Sequence, residues 1–83
     1  MLNIMIIERI GNSIVFTSKS DKKQYIYPLN NIVLFASDGS DFVTVKTKGN
    51  DKILLQFPYY ACENIVATGA TDLMQQISHL SNN

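Results

Sequence analysis

A mainly β fold, a small antiparallel meander or barrel of six to seven strands with one C-terminal α-helix, is the architecture this sequence predicts. Three observations predict it. Short apolar runs recur along the chain, several with the period-two alternation of extended backbone. Gly, Pro, Asn, Asp and Ser separate these runs at short intervals, and a parallel crossover needs about a dozen residues, so sequential strands must pair antiparallel. Helical spacing stands out in one place, where Leu73, Ile77 and Leu80 fall on one face.

The elements follow in order. Ile4 to Ile10 is apolar except for Glu8 and Arg9, and Gly11-Asn12 supplies the positive φ values of a two-residue hairpin turn. Ser13 to Ser18 is the return strand, with Ile14 and Phe16 on one face and Val15 and Thr17 on the other. The polar run Lys19-Ser20-Asp21-Lys22-Lys23 turns the chain into Gln24-Tyr25-Ile26-Tyr27, whose tyrosines face one way and Ile26 the other. Pro28 ends that strand, because it has no amide hydrogen for a ladder, and Leu29-Asn30-Asn31 turns again.

Ile32 to Ala36 is apolar on both faces, the pattern expected of the most buried strand. After Ser37 to Asp41, Val43, Val45 and Thr47 alternate with Phe42, Thr44 and Lys46. After Lys48-Gly49-Asn50-Asp51, Ile53, Leu55 and Phe57 alternate with Leu54 and Gln56. Pro58-Tyr59-Tyr60 breaks the ladder, Asn64 to Ala67 is a further short strand, and Thr68-Gly69-Ala70 leads into a helix over about 71–80. Thr71 suits the N-cap and Asp72 the positive end of the helix dipole. An open sheet and a closed barrel with the helix over its mouth both satisfy this pattern.

Length and composition narrow the function classes. The 83 residues make one small β domain, 1–83, and seven basic against seven acidic side chains give no overall attraction to nucleic acid or anionic membrane. Cys62 has no partner for an internal disulfide, which fits a reducing compartment or simply a small buried apolar residue. No apolar run approaches the ~20 residues of a spanning helix. Met1 to Ile7 has no basic residue before it and runs at once into Glu8-Arg9, so it reads as a strand and not as a signal peptide. The expected location is the cytoplasm or an intracellularly assembled particle.

No motif with catalytic chemistry stands out. His79 sits at the C-terminal end of the predicted helix, where the dipole favours a cation, and no serine lies in a nucleophile elbow. Asp38-Gly39-Ser40-Asp41 lacks the alternating ligands and later Glu of a calcium loop, and Asp and Gly are what a tight turn itself demands. The expectation is a non-enzyme with no catalytic, cofactor-binding or metal residues and no cofactor. Two sets of side chains invite binding instead. Lys19, Lys22, Lys23, Lys46 and Lys48 with Tyr25 and Tyr27 form the nucleic-acid candidates, although in a single meander the Lys19 to Lys23 and Lys48 to Lys52 turns fall at opposite ends. Ile4, Met5, Ile7, Tyr59 and Tyr60 form the protein-interface candidates. The first strand is apolar on both faces with nothing obvious to cover one of them, and tyrosine is enriched at interfaces.

The run from Tyr27-Pro28-Leu29-Asn30-Asn31 through Ile32-Val33-Leu34-Phe35-Ala36 and Ser37-Asp38-Gly39-Ser40-Asp41 to Phe42-Val43-Thr44-Val45-Lys46-Thr47 resembles the opening half of LytTR-type DNA-binding domains of bacterial response regulators. The resemblance covers about residues 27–55, with Ile53-Leu54-Leu55 and Leu73 to Leu80 in the places of that family's next strand and helix. It implies a DNA-binding role. The family's later half, which carries much of its DNA contact, has no counterpart in these 83 residues, so the resemblance assigns no DNA-contacting residue.

The reading that follows is a structural or protein-interaction module acting by self-association as a homo-oligomer, or by docking in a larger assembly such as a virion or other multi-subunit particle, with no membrane partner. The alternative is a nucleic-acid-binding module, LytTR-like or a small barrel.

Overall fold

Among the described residues six strands form, in two groups of three. In a computed structural model, which describes residues 3–37 and 39–81, β1 (Met5–Ile10), β2 (Ser13–Ser18) and β3 (Gln24–Pro28) make one antiparallel sheet in the order β1-β2-β3. A second antiparallel sheet has the order β4-β5-β6, from β4 (Ile32–Phe35), β5 (Phe42–Thr47) and β6 (Ile53–Pro58). The helix α1 spans Ala70–Ser81. Among the described residues no helix is long and apolar enough to cross a membrane.

The two sheets share a plan. Each is a three-strand meander that ends on a proline, Pro28 or Pro58, and each proline leads into one turn of 3-10 helix, Leu29–Asn31 or Tyr59–Ala61. Proline's missing N–H stops the ladder, and its fixed φ suits the turn that follows. The chain therefore leaves the first sheet at Pro28 instead of adding β4 to β3. Single backbone bonds tie the junction down: Leu29 N–H donates to the Asn12 carbonyl at 2.9 Å, and Lys48 N–H to the Asn31 carbonyl at 2.7 Å. The meander is thus split into two sheets, and the closed-barrel form of the expectation does not occur.

The inner faces carry the core. Met5, Ile7, Ile14 and Phe16 from the first sheet meet Val43, Val45 and Phe57 from the second, and α1 closes over them with Ala70, Leu73 and Ile77. Phe16, fully buried, links the layers, its ring 5.8 Å from that of Phe57 in the other sheet and 6.0 Å from Tyr27 in its own. Each such side chain removed from water contributes about 1.5–3 kcal/mol, which is why the spacing of Leu73 and Ile77 suffices to dock the helix. α1 packs on β1, β4 and β5, so it also ties the sheets together.

Four expectations need correction. The most buried strand is β2, at the centre of its sheet, whereas β4 is an edge strand whose Val33 and Phe35 stay exposed. In β6 the register shifts opposite Val45 and Lys46, so Leu54 and Leu55 both pack against the core while Ile53 turns to the outer face opposite Lys46. A bulge of this kind inserts one residue and inverts the alternation beyond it.

Asn64 to Ala67 does not form a strand. Instead a bridge joins Cys62 in parallel to Met5, and the Glu63 N–H donates to the Met5 carbonyl at 2.8 Å. Finally, α1 begins at Ala70, so Thr71 lies inside the first turn. The helix start is held by the Asp72 carboxylate, which accepts from the Thr68 N–H at 2.9 Å, with Leu73 N–H donating to the Gly69 carbonyl.

Candidate interaction surface

The first strand finds its cover inside the molecule. Met5 and Ile7 are core residues, 3% and 0% exposed, and Ile4 is half-buried. Along the free edge of β1 runs the segment after Tyr60. Asn64 there mimics a strand residue: its Oδ1 accepts the Ile7 N–H at 3.0 Å and its Nδ2 donates to the Ile7 carbonyl at 2.8 Å. Lys19 and Glu63 form a salt bridge beside it. The chain's own return thus replaces the partner subunit that an apolar edge strand calls for. Tyr59 is half-buried against the core, and Tyr60 is exposed, its ring packed edge-on to Tyr59 at 5.2 Å.

Tyr25 and Tyr27 point inward, both packed against the core, and burial first, then the Tyr25 phenol beside it, push the Tyr27 phenol up from its ordinary value. The candidate lysines are dispersed. Lys19 is held by Glu63, Lys23 lies over the Tyr25 ring at 5.2 Å, and Lys46 lies on the other sheet over the Phe35 ring at 4.6 Å. Lys22 takes a positive φ of 64° in the β2–β3 turn, and Lys48 begins the β5–β6 turn. Counting turns along one meander does not describe these positions, because the lysines belong to two sheets.

His79 is exposed in the last turn of α1, where it lines a shallow groove with Ile65, Asp72, Gln75, Gln76 and Leu80. Cys62 is half-buried, and burial pushes its thiol up, against a smaller opposing effect of the Ile65 and Asn64 backbone. In the β4–β5 turn Gly39 takes a φ of 73°, Ser40 N–H donates to the Ser37 carbonyl and Ser40 Oγ accepts from Phe42 N–H, the bonds of a turn. Asp38 lies outside the described residues. Among the described residues no three His, Cys, Asp or Glu side chains gather as a metal site would require.

The surface feature that sequence reasoning missed is the outer face of the second sheet. Val43, Val45 and Phe57 point into the core, so Phe42, Thr44 and Lys46 on β5 point out, and their cross-strand partners share that face. Val33 stands opposite Lys46, Phe35 and Gln56 flank Thr44, Pro58 stands opposite Phe42, and the bulge brings Ile53 opposite Lys46. Val33, Phe35, Phe42 and Ile53 are 46%, 39%, 46% and 53% exposed.

The polar residues among them are already engaged. Gln56 Nε2 donates to Thr44 Oγ1 at 3.0 Å, which leaves Thr44 only 4% exposed, and the Lys46 ammonium lies over Phe35. Thr44 therefore needs no further partner when this face leaves water, whereas the Lys46 ammonium keeps its N–H donors and calls for an acceptor from whatever covers it. The outer face of the first sheet is different. Ile10 and Ile26 are exposed there, and Ile26 stands opposite the buried Val15, but Glu8, Ser13, Thr17 and Gln24 share the face with them and with Ile6 and Pro28, and it carries no aromatic side chain.

A sequence signal for the patch exists in the two-sided apolar pattern of Ile32 to Ala36, which reflects a core face and an exposed apolar face. Comparison with protein-family models, curated proteins and solved structures gives no match to this chain.

Proposed function

We propose that the protein is a non-enzymatic protein-interaction module that works through the outer face of the β4-β5-β6 sheet. The observation that carries this is the exposure of Val33, Phe35, Phe42 and Ile53 on one sheet face, whose Thr44 and Gln56 bond each other. Monomeric domains rarely leave such patches without use, and aromatic side chains give the most binding area for the least ordering cost. Tyr60 is exposed two residues after Pro58, which stands opposite Phe42. Met5 and Ile7 support the module from within, as core.

A photoreactive phenylalanine analogue placed at Phe35, and separately at Ile26 on the outer face of the other sheet, tests the reading in cells that make the protein. Discrete protein adducts from position 35 and none from position 26 are expected. Equal labelling from both positions, or none from either, would overturn it.

A further inference from the structure

The outer face of the second sheet has an electrical direction along its strands. At one end lie Lys46 and the β5–β6 turn, with Lys48 and Lys52 against Asp51. At the other end Asp41 is exposed just before Phe42, and neither the β4–β5 turn nor Pro58 to Ala61 contains a lysine or arginine. A face that is basic at one end and acidic at the other, with Phe35 and the bonded Thr44–Gln56 pair between, is complementary to itself when one copy is reversed.

We infer that the occupant of this face is a second copy of the chain, stacked sheet on sheet so that each Lys46, its ammonium turned away from its own Phe35 ring, reaches over the Phe42 and Asp41 end of its partner. This rests on the reading of the face as an interaction surface.

Charge selects the arrangement. Two copies can meet through the same face about a two-fold axis that lies in the interface, either along the strands or across them. An axis along β5 sets Lys46 upon the partner's Lys46, like charges facing each other where water is being removed. An axis across the strands, passing over Thr44, reverses β5 against its counterpart and brings the basic end of each copy to the acidic end of the other. It also sets Phe35 over the partner's Phe35 at the centre, because Phe35 is level with Thr44 in the ladder. Aligned sheets packing about 10 Å apart accommodate aromatic side chains from both faces.

The size of the face sets the strength. Strands of four, six and six residues present roughly 14 by 13–20 Å, on the order of 200–300 Å² in projection. That is below the ~800 Å² per partner of a standard stable interface, so the dimer dissociates in the micromolar range or above.

Sedimentation and light scattering from low micromolar to millimolar concentration provide the test, with circular dichroism to confirm that each variant folds. The protein should pass from monomer to dimer, and Phe35→Asp, which brings two carboxylates together at the axis, should keep it monomeric. Lys46→Glu and Asp41→Lys should each weaken association about tenfold, an unfavourable coupling of the size seen for facing charges. Asp41→Lys combined with Lys46→Glu in one chain restores opposite charges only across the strand-reversed axis, so it should return the dissociation constant to within about twofold of the parent.

A double reversal no tighter than the single variants, or a dimer indifferent to Phe35→Asp, would overturn the arrangement. A monomer at every concentration would overturn the second copy as occupant. In that case adducts of a different protein at position 35 would leave the interaction reading standing, and their absence would remove both.

Discussion

The carboxamide of Asn64 bonds both backbone groups of Ile7, accepting from its N–H at 3.0 Å and donating to its carbonyl at 2.8 Å, across 57 positions of sequence. It continues the pairing of Cys62 with Met5 and closes the open edge of β1. Asn64→Asp retains the acceptor, loses the donor and places a carboxylate beside a carbonyl. It should lower stability by about 1–3 kcal/mol, the cost of leaving a part-buried backbone group unpaired. Urea unfolding of the two proteins measures this, and faster hydrogen exchange at the Ile7 amide should accompany it.

Phe16 stands between the two sheets, in contact range of Phe57 and Tyr27. Phe16→Ala should cost about 3–5 kcal/mol through lost transfer energy and a residual cavity. A domain of this size has roughly 4–12 kcal/mol in total, so the variant should lose a quarter of its stability or more. Phe35→Ala, on the outer face, should change stability by about 1 kcal/mol or less. Similar losses from the two substitutions would show that the outer face is not free surface.

Arg9 reaches from β1 to the far end of α1, where its guanidinium donates to the Leu80 carbonyl at 3.2 Å, as well as to the nearer Gly11 carbonyl. A cation at a helix C-terminus satisfies one of the last four carbonyls and opposes the negative end of the dipole. Arg9→Gln should destabilise the protein by about 0.5–1.5 kcal/mol. Thermal unfolding followed by circular dichroism at low and high salt provides the measurement, with a smaller difference expected at high salt.

Cys62 links the thiol to alkaline stability. Burial raises its folded pKa above the ordinary 9.0, so the protonated thiol favours the folded state. That contribution is fully present below the unfolded value and is lost as pH rises from about 9 through the folded value, where the unfolded chain ionises first. Tyr27, raised above 10.0 mainly by burial, adds a second loss at higher pH. Unfolding free energies at pH 8 and pH 10 should therefore fall less in Cys62→Ala than in the parent. Native Cys62 should also react with a thiol reagent more slowly than the same residue in denaturant.

The dispersed lysines lead to an expectation about nucleic acid. With Lys19 paired to Glu63 and Lys46 on a different sheet from Lys22 and Lys23, labelled DNA and RNA oligonucleotides should show no shift even at low salt. A salt-sensitive shift lost on Lys22→Ala with Lys23→Ala would favour the nucleic-acid alternative.

Local pattern was enough for β1 to β6 and for α1, but it also marked Asn64 to Ala67 as a strand that does not form. Alternation in Ser13 to Ser18 and Phe42 to Thr47, the positive φ of Gly11, which Asn12 beside it does not share, and the spacing of Leu73 and Ile77 each report on backbone within a few residues, where sterics and burial act directly. The two prolines likewise ended their strands where an N–H was missing. Partnership was beyond such signals, because it depends on groups brought together from far along the chain. The apolar first strand looked as if it needed a second molecule, and folding supplied Cys62 and Asn64 for its edge and α1 for its inner face. Ile32 to Ala36 looked doubly covered, and its place at the edge of a separate sheet left Val33 and Phe35 in water. One inserted residue in β6 then turned Ile53 outward beside them, so the surface available for binding was decided by register, which no single strand contains.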